Sequence, residues 1–418
     1  MSLKSEMESI ARRAKDAARV MTYSPGPQKD AALLSMARLL DENREDILRS
    51  NAKDIAGAED KGLEKNLVDR LIFAGARIDS RIKALQAIVE LDDPTGDIRD
   101  LKSLPNGLKV GRVRVPIGVI GMVYESRPHV TVNAGALCLK SGNAAILRGG
   151  SEVINTNRCL GELWLEALRE AGLPEAAVQV VPVTDREAVR ELLSLDEYID
   201  LIIPRGGEGL IKTVLELSTI PVIKHLYGVC HVYVDETAVL DEARKICIDS
   251  KTFAPEVCNA AETFLVAGGI ADEFLPQLEK DLLRQGVEIR GCEETLKIME
   301  GALPATEEDW SSEYLGLVVS IRVLPGVDAA VEHINRYGSG HTESIVTGDI
   351  RSVERFLDGV DSGVLLVNAS TMFCDGSELG MGAEIGISTD KVHARGPMGL
   401  ADLTTYKTLV FGSGHCMG

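Results

Sequence analysis

The chain has 418 residues, of which 45% are hydrophobic, and a formal net charge of −19. That length exceeds one simple core and calls for two large domains, and the acidic balance argues against nucleic-acid or anionic-membrane binding, which need a basic face. No apolar run reaches the roughly 18 residues of a membrane span, and "MSLKSEMESIARRAKDAARV" reads as an amphipathic helix without a signal core, so a cytoplasmic protein is expected. The eight cysteines include no CxxC pair and the seven histidines no HExxH. Neither a disulfide framework nor a metal centre is predicted.

In chain order, residues 1–97 are predicted helical: Leu33, Leu34, Ala37 and Leu40, then Ile82, Leu85, Ile88 and Val89, recur at helical spacing. "LDDPTGD" ends that region with turn formers. "LKSLPNGLKVGRVRVP" then sets Asn106-Gly107 between two short alternating runs, a hairpin signal over residues 98–113. It serves either as a surface flap or as a subunit-contact arm. From Ile117 to about Tyr227, short apolar strands ("IGVIGMVYE", "NAAILRGG", "AVQVVPV", "IDLIIPRGG") alternate with helical stretches. The rhythm is that of βαβ units and a parallel sheet with helices on both faces, where ligands gather at strand carboxyl ends. A second alternating region runs from "CHVYVDE" through "VLLVNAS", with a boundary near residue 228. "LTTYKTLVFGSG" reads as one last strand.

Three stretches carry chemistry. A GxGxxG fingerprint is absent, but in "LIIPRGGEGLIK" a strand ends at Arg205 and a helix starts directly after Gly206 and Gly207. Glycines let a phosphate approach the backbone, and the helix N-terminus offers free N–H groups; the competing reading is a plain βα turn. In "AAILRGGSE" a strand delivers Arg148 to its carboxyl end, where a guanidinium could grip a ribose-bound phosphate or simply be solvated. In "TFAPEVCNAAETFLV", Cys258 sits in a turn whose N–H groups could face the sulfur and favour the thiolate. An ordinary buried cysteine is the alternative there.

Together these stretches resemble the aldehyde dehydrogenase superfamily, and within it the branch that reduces an acyl phosphate of glutamate in proline biosynthesis. The resemblance rests on "VPIGVIGMVYESRPHVTVNAGALCLKSGNAAILRGGSE", "IPRGGEGL", "GVCHVYVDE", "VCNAAETFLV", "VNASTMFCDG", "GAEIGIST" and "HARGPMG", in that order from about residue 110 to 408. It implies an α/β fold of two domains with parallel-rich sheets plus a small oligomerisation hairpin. Residues 1–97 and 114–228 would bind the cofactor and 229–390 would hold the catalytic centre. Residues 98–113 and 391–418 would form the hairpin and C-terminal strand of a homo-oligomer.

Residue by residue, the resemblance makes Cys258 the nucleophile, followed by Asn259 as the motif expects, with Ser126 where hydrolytic relatives carry an oxyanion-stabilising asparagine. It makes Arg148 a contact for the extra phosphate of NADPH, Gly206 and Gly207 the pyrophosphate turn, and Glu313 the holder of the nicotinamide ribose. His225 stands where hydrolytic relatives keep a water-activating glutamate, as a base or a substrate contact. The branch's "NASTRF" reads "NASTMF" here, so Met372 replaces an arginine; Arg127 and Lys140 are the stand-ins for binding L-glutamyl 5-phosphate. The implied activity is NADPH-dependent reduction of that acyl phosphate to L-glutamate 5-semialdehyde through a cysteine thioester, with an association with glutamate 5-kinase. A hydrolytic aldehyde dehydrogenase and a non-catalytic binding protein that kept the fold are the alternatives.

Overall fold

The computed structural model describes residues 2–417, and the chain divides into two compact units. The first takes the chain up to Lys224, Met381–Gly386 and the stretch from Met398 on; the second takes His225–Gly380 and Ile387–Pro397. The expected boundary near 228 thus falls at 224/225. The expected 229–390 block is interrupted, because residues 381–386 pack with the first unit.

In the first unit, Ser2 caps the helix Leu3–Met21 by accepting the Ser5 N–H at 3.3 Å, and the helix buries Met7, Ile10, Ala14 and Met21 along one face. Four more helices follow before Leu91, as the 3.6-residue spacing predicts. The hairpin comes next. Strand β1 (Ile98–Ser103) pairs antiparallel with β2 (Lys109–Pro116), with a bulge between Arg99 and Lys102. Gly107 turns at φ 88°, a left-handed conformation that favours glycine. The C-terminal strand Thr404–Phe411 lies along the other edge of β2, giving a three-stranded sheet.

Four parallel strands form the unit's main sheet: β3 (Val119–Tyr124), β4 (Ala144–Arg148), β5 (Val178–Val180) and β6 (Leu201–Arg205), ordered β5-β4-β3-β6. Because β4 and β5 step away from β3 on one side and β6 returns on the other, the order reverses between β3 and β6. Open α/β sheets bind ligands outside the strand carboxyl ends at such a reversal.

The second unit is built on seven strands: β7 (Cys230–Val234), β8 (Ala261–Ala267), β9 (Glu288–Gly291), β10 (Leu303–Pro304), β11 (Val318–Leu324), β12 (Thr342–Val346) and β13 (Val364–Val367). Their order is β10-β9-β11-β8-β7-β12-β13, and every pairing is parallel. β7, β8 and β12 are buried along their whole length, which explains their apolar character. Helices cover both faces: Phe274, Leu275 and Leu278 pack on one, Ile334 and Phe356 on the other.

None of the eight cysteines is in a disulfide. No helix among the described residues is long and apolar enough to cross a membrane.

Candidate active site

Cys258 precedes β8, His341 precedes β12, and Gly228 and Val229 precede β7. These are three adjacent strands, so the thiol lies at the amino-terminal edge of the second sheet, opposite to the edge that parallel sheets ordinarily use. The turn Pro255–Ala260 is pinned by the Ala260 N–H donating to the Val257 carbonyl at 3.1 Å, and it leaves Cys258 half-buried.

Two neighbours fix the backbone of that turn. A Cβ on Gly228 would collide with the Cys258 carbonyl group, so position 228 admits no side chain. The Cys230 thiol donates to the same carbonyl oxygen at 3.3 Å. The Gly228 N–H in turn donates to Glu313 at 2.7 Å, which ties the glutamate to the strand entry beside the thiol. Leu315, just beyond, takes φ 52°, a strained value for a bulky residue, and its N–H reaches Glu262 of β8 at 3.4 Å. Asn259 donates to the carbonyls of Thr371, Met372 and Cys374 at 3.2–3.3 Å. Its amide therefore clamps the 371–374 turn to the cysteine turn.

Two imidazoles meet the sulfur. Ligating atoms of His225, Cys258 and His341 all lie within 4.8 Å of one another, and the two rings stand edge to face at 5.5 Å. His225 Nδ1 faces the Ile387 carbonyl at 3.0 Å. His341 is fully buried, and burial first, then His225, brings its pKa down to about 3, so it stays neutral. By contrast, burial pushes the Cys138 thiol up to about 12 and also raises those of Cys230 and Cys247. Those three are poor nucleophiles near neutrality.

In the first unit, the carboxyl ends of β3, β4 and β6 carry Glu125-Ser126-Arg127, Arg148 and Arg205-Gly206-Gly207. Gly207 caps the helix Glu208–Leu217, and its N–H donates to Glu125 Oε2 at 2.9 Å. A carboxylate thus occupies the anion-favouring start of that helix. Arg148 is buried and donates to the carbonyls of Gly149, Thr184 and Asp185 at 2.8, 3.1 and 3.2 Å, while its Nε has no partner. Arg77, Arg81, Arg127 and Arg205 all reach His129 electrostatically and, after burial itself, hold its pKa down at about 3.

Two expected site residues are corrected. Lys140 is 2% exposed and donates to Asp30 at 2.6 Å and to the Val89 carbonyl at 2.9 Å. A buried ammonium so held anchors helices and has no reach to a substrate. Ser126 sits at φ 45°, with its N–H and hydroxyl both directed to Glu152 at 2.7 and 2.9 Å. Its hydroxyl proton belongs to a carboxylate and is not an oxyanion donor. Of the other expected residues, the second unit gathers Cys258, Asn259, His225 and Glu313 around one set of strand starts. Arg127, Arg148, Gly206 and Gly207 lie at strand ends of the first unit. The sequence reading missed Gly228, Cys230, His341, Glu125, Arg77 and Arg81. Only His341 left a trace, as a histidine directly before the short strand "TESIV".

A parallel sheet presenting a half-buried thiol in one unit, and a glycine-capped helix with strand-end arginines in the other, defines the aldehyde dehydrogenase class. Residues 2–290 match the model of the aldehyde dehydrogenase family, and the chain belongs to that family. The chain is 51% identical to a gamma-glutamyl phosphate reductase of Caldanaerobacter subterraneus over 98% of its length and 99% of the relative's. A gamma-glutamyl phosphate reductase of Moorella thermoacetica is 50% identical over 99% of both chains. The crystal structure of the gamma-glutamyl phosphate reductase from Thermotoga maritima superposes with a TM-score of 0.96 at 46% identity, covering 99% of this chain and all of that one. The chain is thus an enzyme of a family that uses nicotinamide cofactors on small molecules.

The close approach at Gly228 yields a test. Gly228→Ala is expected to displace the Cys258 backbone and lower steady-state turnover by about a hundredfold, the scale of a 1 Å misplacement of a reacting group. Gly57→Ala, where an added methyl group meets nothing within 4 Å, serves as the control. Wild-type turnover in Gly228→Ala would show that the contact does not position Cys258 for turnover.

Proposed function

We propose that the chain reduces L-glutamyl 5-phosphate to L-glutamate 5-semialdehyde and inorganic phosphate, in proline biosynthesis in the cytoplasm, with NADPH as reductant. The observation that carries this reading is the half-buried Cys258 thiol between His225 and His341, in a chain about half identical to enzymes named for that reaction.

Cys258 gives up its proton and its sulfur attacks the acyl carbon; the C–O bond to phosphate breaks and a thioester forms. The Cys258 backbone N–H replaces Ser126 as the oxyanion donor, in keeping with a turn held rigid by Gly228, Cys230 and Asn259. The bound nicotinamide supplies a hydride. Release of the aldehyde restores the thiol. With Lys140 held by Asp30, Arg127 is the remaining stand-in for the arginine that Met372 replaces.

The residues of the first unit fit a phosphorylated dinucleotide. Arg148 has five N–H groups and three go to carbonyls, leaving two, one of them the unpartnered Nε, for a ribose phosphate. Gly207 already binds an anion, the Glu125 carboxylate, where a pyrophosphate would bind. Glu313 would hold the nicotinamide ribose. Glu125 must yield when a pyrophosphate arrives, so it opposes cofactor binding. A homo-oligomer formed through the three-stranded sheet suits the exposed apolar side chains of Ile98, Leu101, Val410 and Phe411 on a sheet with open edges. Association with glutamate 5-kinase would shelter the labile acyl phosphate.

A hydrolytic reading draws on one observation, the imidazole of His225 beside Cys258, since a positioned base that activates water is worth about a hundred- to ten-thousandfold. Phosphate needs no such base. Semialdehyde oxidation with NADP+ should therefore require added phosphate, with arsenate as substitute, and Cys258→Ala should abolish it. Steady NADPH formation in buffer lacking both anions, near the supported rate, would mean hydrolysis. Residual reductase activity in Cys258→Ala would refute the mechanism.

For the cofactor, Arg148→Ala should weaken NADPH binding by about 1.5–3 kcal/mol, ten- to a hundredfold, and spare NADH. Glu125→Gln should tighten both. Titration by fluorescence decides; equal losses for the two cofactors in Arg148→Ala would place the phosphate elsewhere. For the assembly, Leu101→Glu combined with Phe411→Glu should shift the sedimentation coefficient toward the monomer. An unchanged coefficient would remove the hairpin from the interface.

A further inference from the structure

His225, Cys258 and His341 come from three segments, 33 and 83 residues apart, so no sequence spacing announces them as a set. Their ligating atoms nonetheless converge within 4.8 Å. Two imidazoles and a thiol are the ligand set that tetrahedral zinc prefers, with a water in the fourth position. Zn–S of about 2.3 Å and Zn–N of about 2.0–2.1 Å put tetrahedral ligand atoms about 3.3–3.6 Å apart. The cluster must therefore contract by roughly 1 Å to close on a metal, a change that side-chain rotation of His225 and Cys258, both half-buried, supplies without moving the fixed backbone of the turn.

The nitrogens are prepared for it. His225 Nδ1 donates to the Ile387 carbonyl at 3.0 Å, which makes Nε2 the nitrogen that carries the lone pair. His341 Nδ1 lies 2.8 Å from the Thr342 hydroxyl and 3.6 Å from Cys230 Sγ. The Cys230 thiol proton is already directed to the Cys258 carbonyl, so that sulfur is an acceptor for the His341 N–H. His341 Nε2 is then the lone-pair nitrogen; it is fully buried and has no hydrogen-bond partner. Metal-binding histidines are typically oriented in this way, with the second nitrogen bonded to a carbonyl or other acceptor. A buried polar atom left without a partner is costly, and a metal ion would satisfy it.

We propose that these three residues form a zinc site that caps the Cys258 sulfur and reversibly blocks it. On binding, the Cys258 S–H proton passes to solvent as the Zn–S bond forms, and no oxidant or reductant is involved. The blocking of turnover rests on Cys258 being the nucleophile; the metal site itself does not.

The test uses the full chain, freed of metal by dialysis against a chelator. Calorimetric titration with zinc chloride should give one site per chain, and cobalt(II) should give the absorption of a Co–S bond. Zinc should also protect Cys258 from iodoacetamide, read by peptide mass spectrometry. Cys258→Ala and His225→Gln should each weaken zinc by at least about tenfold and, for Cys258→Ala, remove the Co–S absorption. His341→Gln can disturb packing, so the half-buried His225 carries the comparison. Zinc affinity unchanged in both variants, with metal held for instance by His415 and Cys416 in the exposed tail, would overturn the proposal, as would no binding at all. If zinc binds and protects Cys258 while Cys258→Ala still turns over substrate, the metal site stands and the nucleophile assignment fails.

Discussion

Everything at the thiol depends on one backbone contact, between Gly228 at the entry to β7 and the carbonyl of Cys258 before β8. Two neighbouring strand entries can come this close only where one lacks a Cβ,. Once they do, the Cys230 thiol reaches the Cys258 carbonyl and the Gly228 N–H reaches Glu313. Asn259 carries the constraint onward to the 371–374 turn through three carbonyls. A turn that would otherwise be a mobile connection becomes a fixed mount. Rigid mounting is what a nucleophile needs to meet an acyl carbon at attack distance.

The two units use opposite ends of their sheets. The first offers strand carboxyl ends, a reversal in strand order and a helix start, the usual setting for a phosphate-bearing ligand. There the helix is satisfied from within: Glu125 supplies the anion, and burial, with the neighbouring arginines second, holds His129 neutral. The second unit offers strand amino ends, which carry no helix start to favour an anion. Its chemistry comes instead from side chains that converge because β8, β7 and β12 are neighbours.

Burial sorts the cysteines. Cys138, Cys230 and Cys247 lie in apolar surroundings where a thiolate would lose its hydration, so their thiols are held far above the usual range,. Cys230 is close to Cys258 yet acts as a hydrogen-bond donor that fixes its carbonyl. The same desolvation keeps His341 neutral beside the Cys258 sulfur.

Much of this protein was determined by sequence alone. The helical region before residue 98, the hairpin at Asn106-Gly107, the alternation of strand and helix, Cys258 in its turn and the glycine turn after Arg205 all follow from local periodicity and turn chemistry, which short-range sterics dictate. What only the tertiary structure decided are partnerships across the chain. Lys140 is anchored to Asp30, 110 residues away; Ser126 turns to Glu152; His341 joins Cys258 because β12 pairs with β7 and not with its chain neighbour β11. No local pattern encodes such pairings. They are set by which sheet order buries the most apolar surface, a property of the whole chain at once.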